Sequence, residues 1–198
     1  MSILNTYGEN LSTKEYITNP AIGRDEQIKG LILTLITPDK SAILTGKPGV
    51  GKTSTVEGLA YRIQKKLVPD VLRNYQVYKI ATSQLLGTDP KTGEAKVQTL
   101  IDELKEKSNL ILFIDEIHTL MGNKDTPLDF ANTFKPALDR GDIKVIGATT
   151  DEEYERYILR DKAFVRRFQK IAVSEPTRDE NIQILMGTLP KIEKRSCL

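Results

Sequence analysis

Residues 46–53 read Gly46-Lys47-Pro48-Gly49-Val50-Gly51-Lys52-Thr53, and their types suit one task, the wrapping of a phosphate chain. Glycines let a backbone take the close path that turns its N–H groups inward on an anion. Such a loop must leave a buried strand and open a helix, whose first amides and dipole favour negative charge. Here Ala42-Ile43-Leu44 precedes the loop, and Val56, Leu59, Ala60 and Ile63 recur at helical spacing after it. Pattern and context together make Pro48, Gly49, Val50, Gly51, Lys52 and Thr53 the candidate cradle for ATP or ADP. Lys52 is the residue to reach the β- and γ-phosphates, and the Thr53 hydroxyl is a candidate Mg2+ ligand.

A second chemical signal is Leu110-Ile111-Leu112-Phe113-Ile114-Asp115-Glu116, an apolar run ending in two acids. Ligands of open α/β sheets bind at the carboxyl ends of the strands, so Asp115 and the glycine loop can converge. Asp115 is then placed to hold Mg2+ through a water, and Glu116 to act as the base that polarises an attacking water. An acid next to the metal-binding aspartate favours hydrolysis over transfer of the phosphoryl group to a small molecule. His118, the only histidine, lacks the partners of a zinc site. It is expected to pack or hydrogen-bond beside the strand exit, with a supporting role at the site as the alternative.

These residues need a frame. Short apolar runs at residues 42–44, 77–81, 110–114, 143–146 and 170–173 alternate with helical patterns at 25–36, 53–66, 97–107, 131–138, 151–158 and around 181–186. That alternation predicts a three-layer α/β/α domain around a five-stranded parallel sheet. Residues 1–20 read as a polar, turn-rich arm, 21–188 as the nucleotide-binding domain and 189–198 as a tail.

Composition narrows the class further. The 198 residues are 39% apolar and 28% charged with a formal net charge of +2, a soluble globular balance that gives no support to a general nucleic-acid or membrane-surface binder. One cysteine, Cys197, allows no internal disulfide and suits a reducing compartment. No signal peptide is read at the start, and no apolar run is long enough to span a bilayer, so a cytoplasmic location is expected.

Several stretches together resemble the first ATPase domain of Clp-type AAA+ unfoldases and disaggregases. They are Tyr7-Gly8, then Asn19-Pro20-Ala21-Ile22-Gly23-Arg24-Asp25-Glu26, the loop at 46–53, and Leu112-Phe113-Ile114-Asp115-Glu116-Ile117-His118. Lys135-Pro136-Ala137-Leu138, Gly147-Ala148-Thr149-Thr150, Arg166-Arg167-Phe168 and Glu175-Pro176 continue the likeness in order. The resemblance implies that Ile22 and Gly23 lie against adenine and that Thr149 is the polar sensor that orients the water. It also implies that Arg166 and Arg167 reach the ATP of a neighbouring subunit, where guanidinium groups stabilise charge on the transferred phosphoryl. Activity would then depend on a homo-oligomeric ring, six subunits being the family expectation, while a chain of this length is expected to be monomeric on its own.

Two departures bear on role. In threading members the loop after the second strand carries an aromatic residue, whereas here it reads Gly87-Thr88-Asp89-Pro90-Lys91-Thr92-Gly93-Glu94. After Glu175-Pro176 the family has a helical lid, and here a helix around 181–186 is followed by Leu189-Pro190 and a basic end, so the lid is expected to be mostly absent. The leading expectation is an ATP-hydrolysing module that remodels a protein partner. The alternative is a nucleotide-gated assembly module with little turnover. A DNA-acting role is disfavoured by the near-neutral charge and the lack of any DNA-reading motif.

Overall fold

The computed structural model describes residues 2–89, 93, 95–121, 128–141 and 143–196. Its strands are β1 (Glu9–Asn10), β2 (Ser41–Thr45), β3 (Gln76–Ile80), β4 (Leu110–Ile114), β5 (Lys144–Thr149) and β6 (Phe168–Ala172). They form one sheet in the order β1-β3-β4-β5-β2-β6. The helices are α1 (Ile3–Tyr7), α2 (Asp25–Ile36), α3 (Lys52–Gln64), α4 (Thr82–Leu85), α5 (Lys96–Glu106), α6 (Leu128–Asp139), α7 (Asp151–Glu153), α8 (Lys162–Val165) and α9 (Arg178–Ser196).

The sheet core explains the sequence pattern. All five residues of β4 are buried, and successive side chains of a strand point to opposite faces. Leu110, Leu112 and Ile114 join Leu100, Ile101 and Leu104 of α5 and Phe134 and Leu138 of α6 in one core. Ile111 and Phe113 join Leu31 and Leu35 of α2 and Val56 and Leu59 of α3 in the other. A strand covered by helices on both faces reads as an unbroken apolar run, which is why it stood out.

The five expected parallel strands are present, and the sheet has a sixth. Edge strand β1 pairs antiparallel with β3, Glu9 opposite Lys79 and Asn10 opposite Tyr78. Two polar residues carry no periodicity, so nothing in the pattern announced it. The segment read as an arm is folded onto the domain: Ile3, Leu4 and Leu11 are at most 1% exposed. Glu103 of α5 anchors it, accepting from the Leu4 amide at 3.2 Å and from the Ser2 hydroxyl.

Two helices differ from their expected form. The stretch at 151–158 is the short α7 followed by a single π-helical turn over Tyr154–Ile158, closed by the Leu159 amide on the Tyr154 carbonyl at 2.9 Å. Helix α9 passes through Pro190 rather than ending before it. The proline costs one N–H donor, here on a turn where Met186 is 64% exposed and water can serve the freed carbonyl. Among the described residues no helix is long and apolar enough to cross a membrane. The loop at 87–95 is tied at its base by a Thr88–Ala95 bridge, while Lys91, Thr92, Glu94 and Cys197 lie outside the described residues.

Candidate functional site

Register brings the chemical residues to one end of the sheet. Thr45 lies opposite Thr149 across β2 and β5, and Ile114 opposite Gly147 across β4 and β5. Gly46, Asp115 and Thr149 therefore leave the sheet side by side at the carboxyl ends of three adjacent parallel strands, the crevice where such sheets bind ligands.

The loop is shaped as its composition demanded. Gly46, Gly49 and Gly51 have φ of 154°, 74° and 102°, values side chains rarely adopt. A methyl at Gly46 would in addition run into the Val173 carbonyl. Lys52 folds back over the loop, its ammonium donating to the Gly46 carbonyl at 2.7 Å and the Lys47 carbonyl at 2.9 Å. This holds the cation at the centre of the cradle.

Beside it, Thr53 Oγ1 donates to Asp115 Oδ2 at 3.3 Å, so the two candidate metal-binding oxygens are adjacent. Among the described residues no three His, Cys, Asp or Glu side chains are grouped to hold a metal. A Mg2+ here would take most of its ligands from phosphate and water, which is its habit. Asp115 Oδ1 also accepts from the Glu116 amide at 3.0 Å. Glu116 has φ 52° and ψ 41°, a left-handed conformation unusual for a side-chain-bearing residue and of the kind stored at functional sites. The turn aims its exposed carboxylate at the cleft. Ile117, directly after it, is buried against Gly147, where an added Cβ would come within 2.9 Å of the Ile117 side chain. Gly147 thus lets the turn seat closely on β5.

Thr149 is 3% exposed, and its hydroxyl is 3.0 Å from His118 Nδ1 and donates to Glu153 Oε2 at 3.1 Å. Glu153 also accepts from the Thr150 amide at 3.1 Å while its own amide donates to Thr150 Oγ1 at 3.2 Å, a capping box that starts α7. Burial pushes the Glu153 carboxyl up, but the Thr150 amide and hydroxyl, His118 and the Thr149 hydroxyl outweigh it and hold the group below the usual carboxylate range. The cleft enclosed by Lys52, Thr53, Asp115, Glu116, Thr149 and Glu153 is about 440 Å³.

A second cleft of about 410 Å³ opens on the other side of the same loop, lined by Pro20, Ala21, Ile22, Val50, Pro176 and Ile184 among others. Both clefts share Pro48, Gly49 and Gly51. Ile22 packs against α9 at Gly187, and Gly23 turns beside it at φ 74°. Buried Arg24 ties this wall together, donating to the Val50 carbonyl at 2.7 Å and to the Ser174 carbonyl at 2.8 Å.

Arg166 and Arg167 are elsewhere. They precede β6, and the carbonyl of Arg167 accepts from the Ser41 amide at 2.8 Å, at the amino end of β2. Five residues of strand at about 3.3 Å each put them roughly 16 Å along the sheet from the phosphate loop. They are not part of this chain's own cleft.

The structure thus brings together the loop, Asp115, Glu116, Thr149, Ile22 and Gly23, and leaves the arginine pair apart. Sequence reasoning did not single out Glu153 or Arg24. For Glu153 a signal existed, since Thr150-Asp151-Glu152-Glu153 has the capping-box spacing. For Arg24 there was none beyond its place after Gly23.

Comparison with known proteins agrees with this geometry. Residues 42–175 match the model of the ATPase family associated with various cellular activities (AAA). The chain is 45% identical over 200 residues to the chaperone protein ClpB of Aquifex aeolicus, covering 98% of this chain and 20% of that protein. It is 42% identical to a ClpA homolog of Guillardia theta, an ATP-dependent Clp protease ATP-binding subunit, covering 96% of this chain and 24% of the relative. Among solved structures, the ADP complex of Saccharomyces cerevisiae Hsp104 superposes with a TM-score of 0.83 at 40% identity, over 97% of this chain and 34% of that one. A closed-state Hsp104 with ATPγS and FITC casein gives 0.85 at 40% identity, over 98% of this chain and 34% of that one. The chain spans about a fifth of the length of the ClpB relative.

Proposed function

The chain belongs to the AAA family of ATPases and is similar to its Clp-type members, and from that premise we propose that it binds and hydrolyses Mg-ATP within a ring and couples turnover to remodelling of a protein partner. The observation that carries the reading is the convergence of the loop cation, the hydrogen-bonded Thr53 and Asp115, and the separate side chains of Glu116 and Thr149 on one cleft.

Each residue has a part in it. The glycine loop presents amides to the phosphate chain, and Lys52 neutralises charge there. Thr53 and Asp115 would hold Mg2+, whose contribution when bound is to offset negative charge on the phosphates. Glu116 accepts a proton from the attacking water, and Thr149 fixes where that water sits. Ile22, with Ala21 and Pro20, offers an apolar wall of the kind that takes an adenine ring. Arg166 and Arg167, remote from this chain's own cleft, serve the cleft of the next subunit. The protein partner is supported by relatives named as chaperones and by the Hsp104 structure with casein. The reading as an assembly module with little turnover draws no support from these relatives.

Turnover as a function of protein concentration tests it, for wild type and for Arg166→Ala/Arg167→Ala. Specific activity should rise with concentration, and the double variant should bind ATP without turning it over. A wild-type chain that binds ATP and shows no turnover at any concentration would withdraw the hydrolytic and remodelling claims.

A further inference from the structure

We propose that Glu153 is a positioning residue of this site, which together with His118 fixes the polarity of the Thr149 hydroxyl so that it faces the cleft as a hydrogen-bond acceptor. The inference rests on the hydrolytic reading above and adds to it two side chains to which that reading gives no part.

Three atoms form a closed triangle: Thr149 Oγ1 to Glu153 Oε2 at 3.1 Å, Thr149 Oγ1 to His118 Nδ1 at 3.0 Å, and His118 Nδ1 to Glu153 Oε2 at 3.2 Å. A threonine hydroxyl has one proton. Glu153 is ionised and accepts only, so it takes that proton. An unprotonated Nδ1 would turn its lone pair on the carboxylate oxygen 3.2 Å away, which is repulsive. Nδ1 therefore carries the ring proton, donated to this oxygen pair. With its proton committed to Glu153, Thr149 has lone-pair density left for the cleft and no donor.

The chemistry that follows is specific. A water in the cleft meets two acceptors, the Glu116 carboxylate and Thr149 Oγ1, and donates one hydrogen bond to each, its proton passing to Glu116 alone when it attacks. Its own lone pair is left for the phosphorus. Were Thr149 free to turn, its proton would compete for that lone pair. The triangle is itself held in place. The capping box fixes Glu153 to Thr150, and Tyr157 of the π-helical turn stacks on the His118 ring at 6.0 Å and 25°.

Because His118 is the only histidine of the chain, the proton positions on its ring can be read from a long-range 1H–15N spectrum. Wild type should carry the proton on Nδ1. Glu153→Ala should move it to Nε2 while the amide spectrum keeps its native dispersion, and Glu153→Gln, which retains an acceptor oxygen, should keep it on Nδ1. In turnover, Glu153→Ala should lower kcat on the order of tenfold, as loss of an outer-shell partner does, with KM for ATP unchanged, and Glu153→Gln should restore most of it. A wild-type ring protonated on Nε2 overturns the proposal, as does a Glu153→Ala variant with the tautomer moved and kcat intact. If wild type does not turn over, the hydrolytic reading fails on its own test, and the tautomers alone decide whether the triangle is set as described.

Discussion

The two clefts that flank the phosphate loop share its glycines but are built from different materials. The one under the ends of β4 and β5 is walled by polar side chains that hold one another, Thr53 on Asp115 and Thr149 on His118 and Glu153. The one under α9 has an apolar wall of Pro20, Ala21, Ile22, Pro176 and Ile184 with the Lys47–Glu175 ion pair also on its lining, held by apolar contact and by Arg24 bonding two backbone carbonyls. The first has the groups that the proposed hydrolysis would need. The second can only bind and orient. On the proposed reading, one molecule spanning both, with its phosphates on the loop and its ring beside Ile22, would use each wall for what it is made of.

That division gives predictions that separate the walls. Lys52→Ala acts on the loop common to both and should weaken ATP binding about 10- to 100-fold, the worth of one or two charge-assisted hydrogen bonds, measurable by titration with a fluorescent nucleotide. Arg24→Leu removes a buried cation and leaves the Val50 and Ser174 carbonyls unserved. It should lower the unfolding free energy by roughly 2–4 kcal/mol and weaken nucleotide binding with it, as read from denaturant unfolding with and without ADP. Ile22→Ala touches the binding wall alone. It should raise KM for ATP by about five- to thirtyfold, from the loss of one or two kcal/mol of apolar contact, and leave kcat unchanged. A fall in kcat with Ile22→Ala would show that the walls are not separable.

The same division governs what could be read from the sequence. On the polar wall the chemistry restricts residue type: a phosphate loop needs its glycines and lysine, and the strand ending in Asp115-Glu116, an ordinary solvated exit by itself, gains its meaning from that loop. The runs were legible as buried strands, but their order, and so the meeting of Thr149 with the loop, comes from the structure. On the apolar wall Ile22 and Gly23 act through surface and backbone, which carry no distinctive side-chain chemistry, and only the family likeness drew attention to them. Glu153 stayed hidden because an acid after two threonines reads as a helix cap, which it also is. Edge strand β1 was invisible for a plainer reason, being two polar residues whose partner lies on β3, almost seventy residues further along the chain.

Hydrolysis at the polar wall is proposed to use Glu116 as its base, and a single-turnover measurement on Glu116→Gln puts that to the test. With ATP in place on saturated protein at a concentration where wild type turns over, the variant should bind ATP with wild-type affinity and cleave it at least about a hundredfold more slowly, the scale of a lost general base. Cleavage at the wild-type rate, with binding intact, would rule out Glu116 as the base and move that role elsewhere in the cleft.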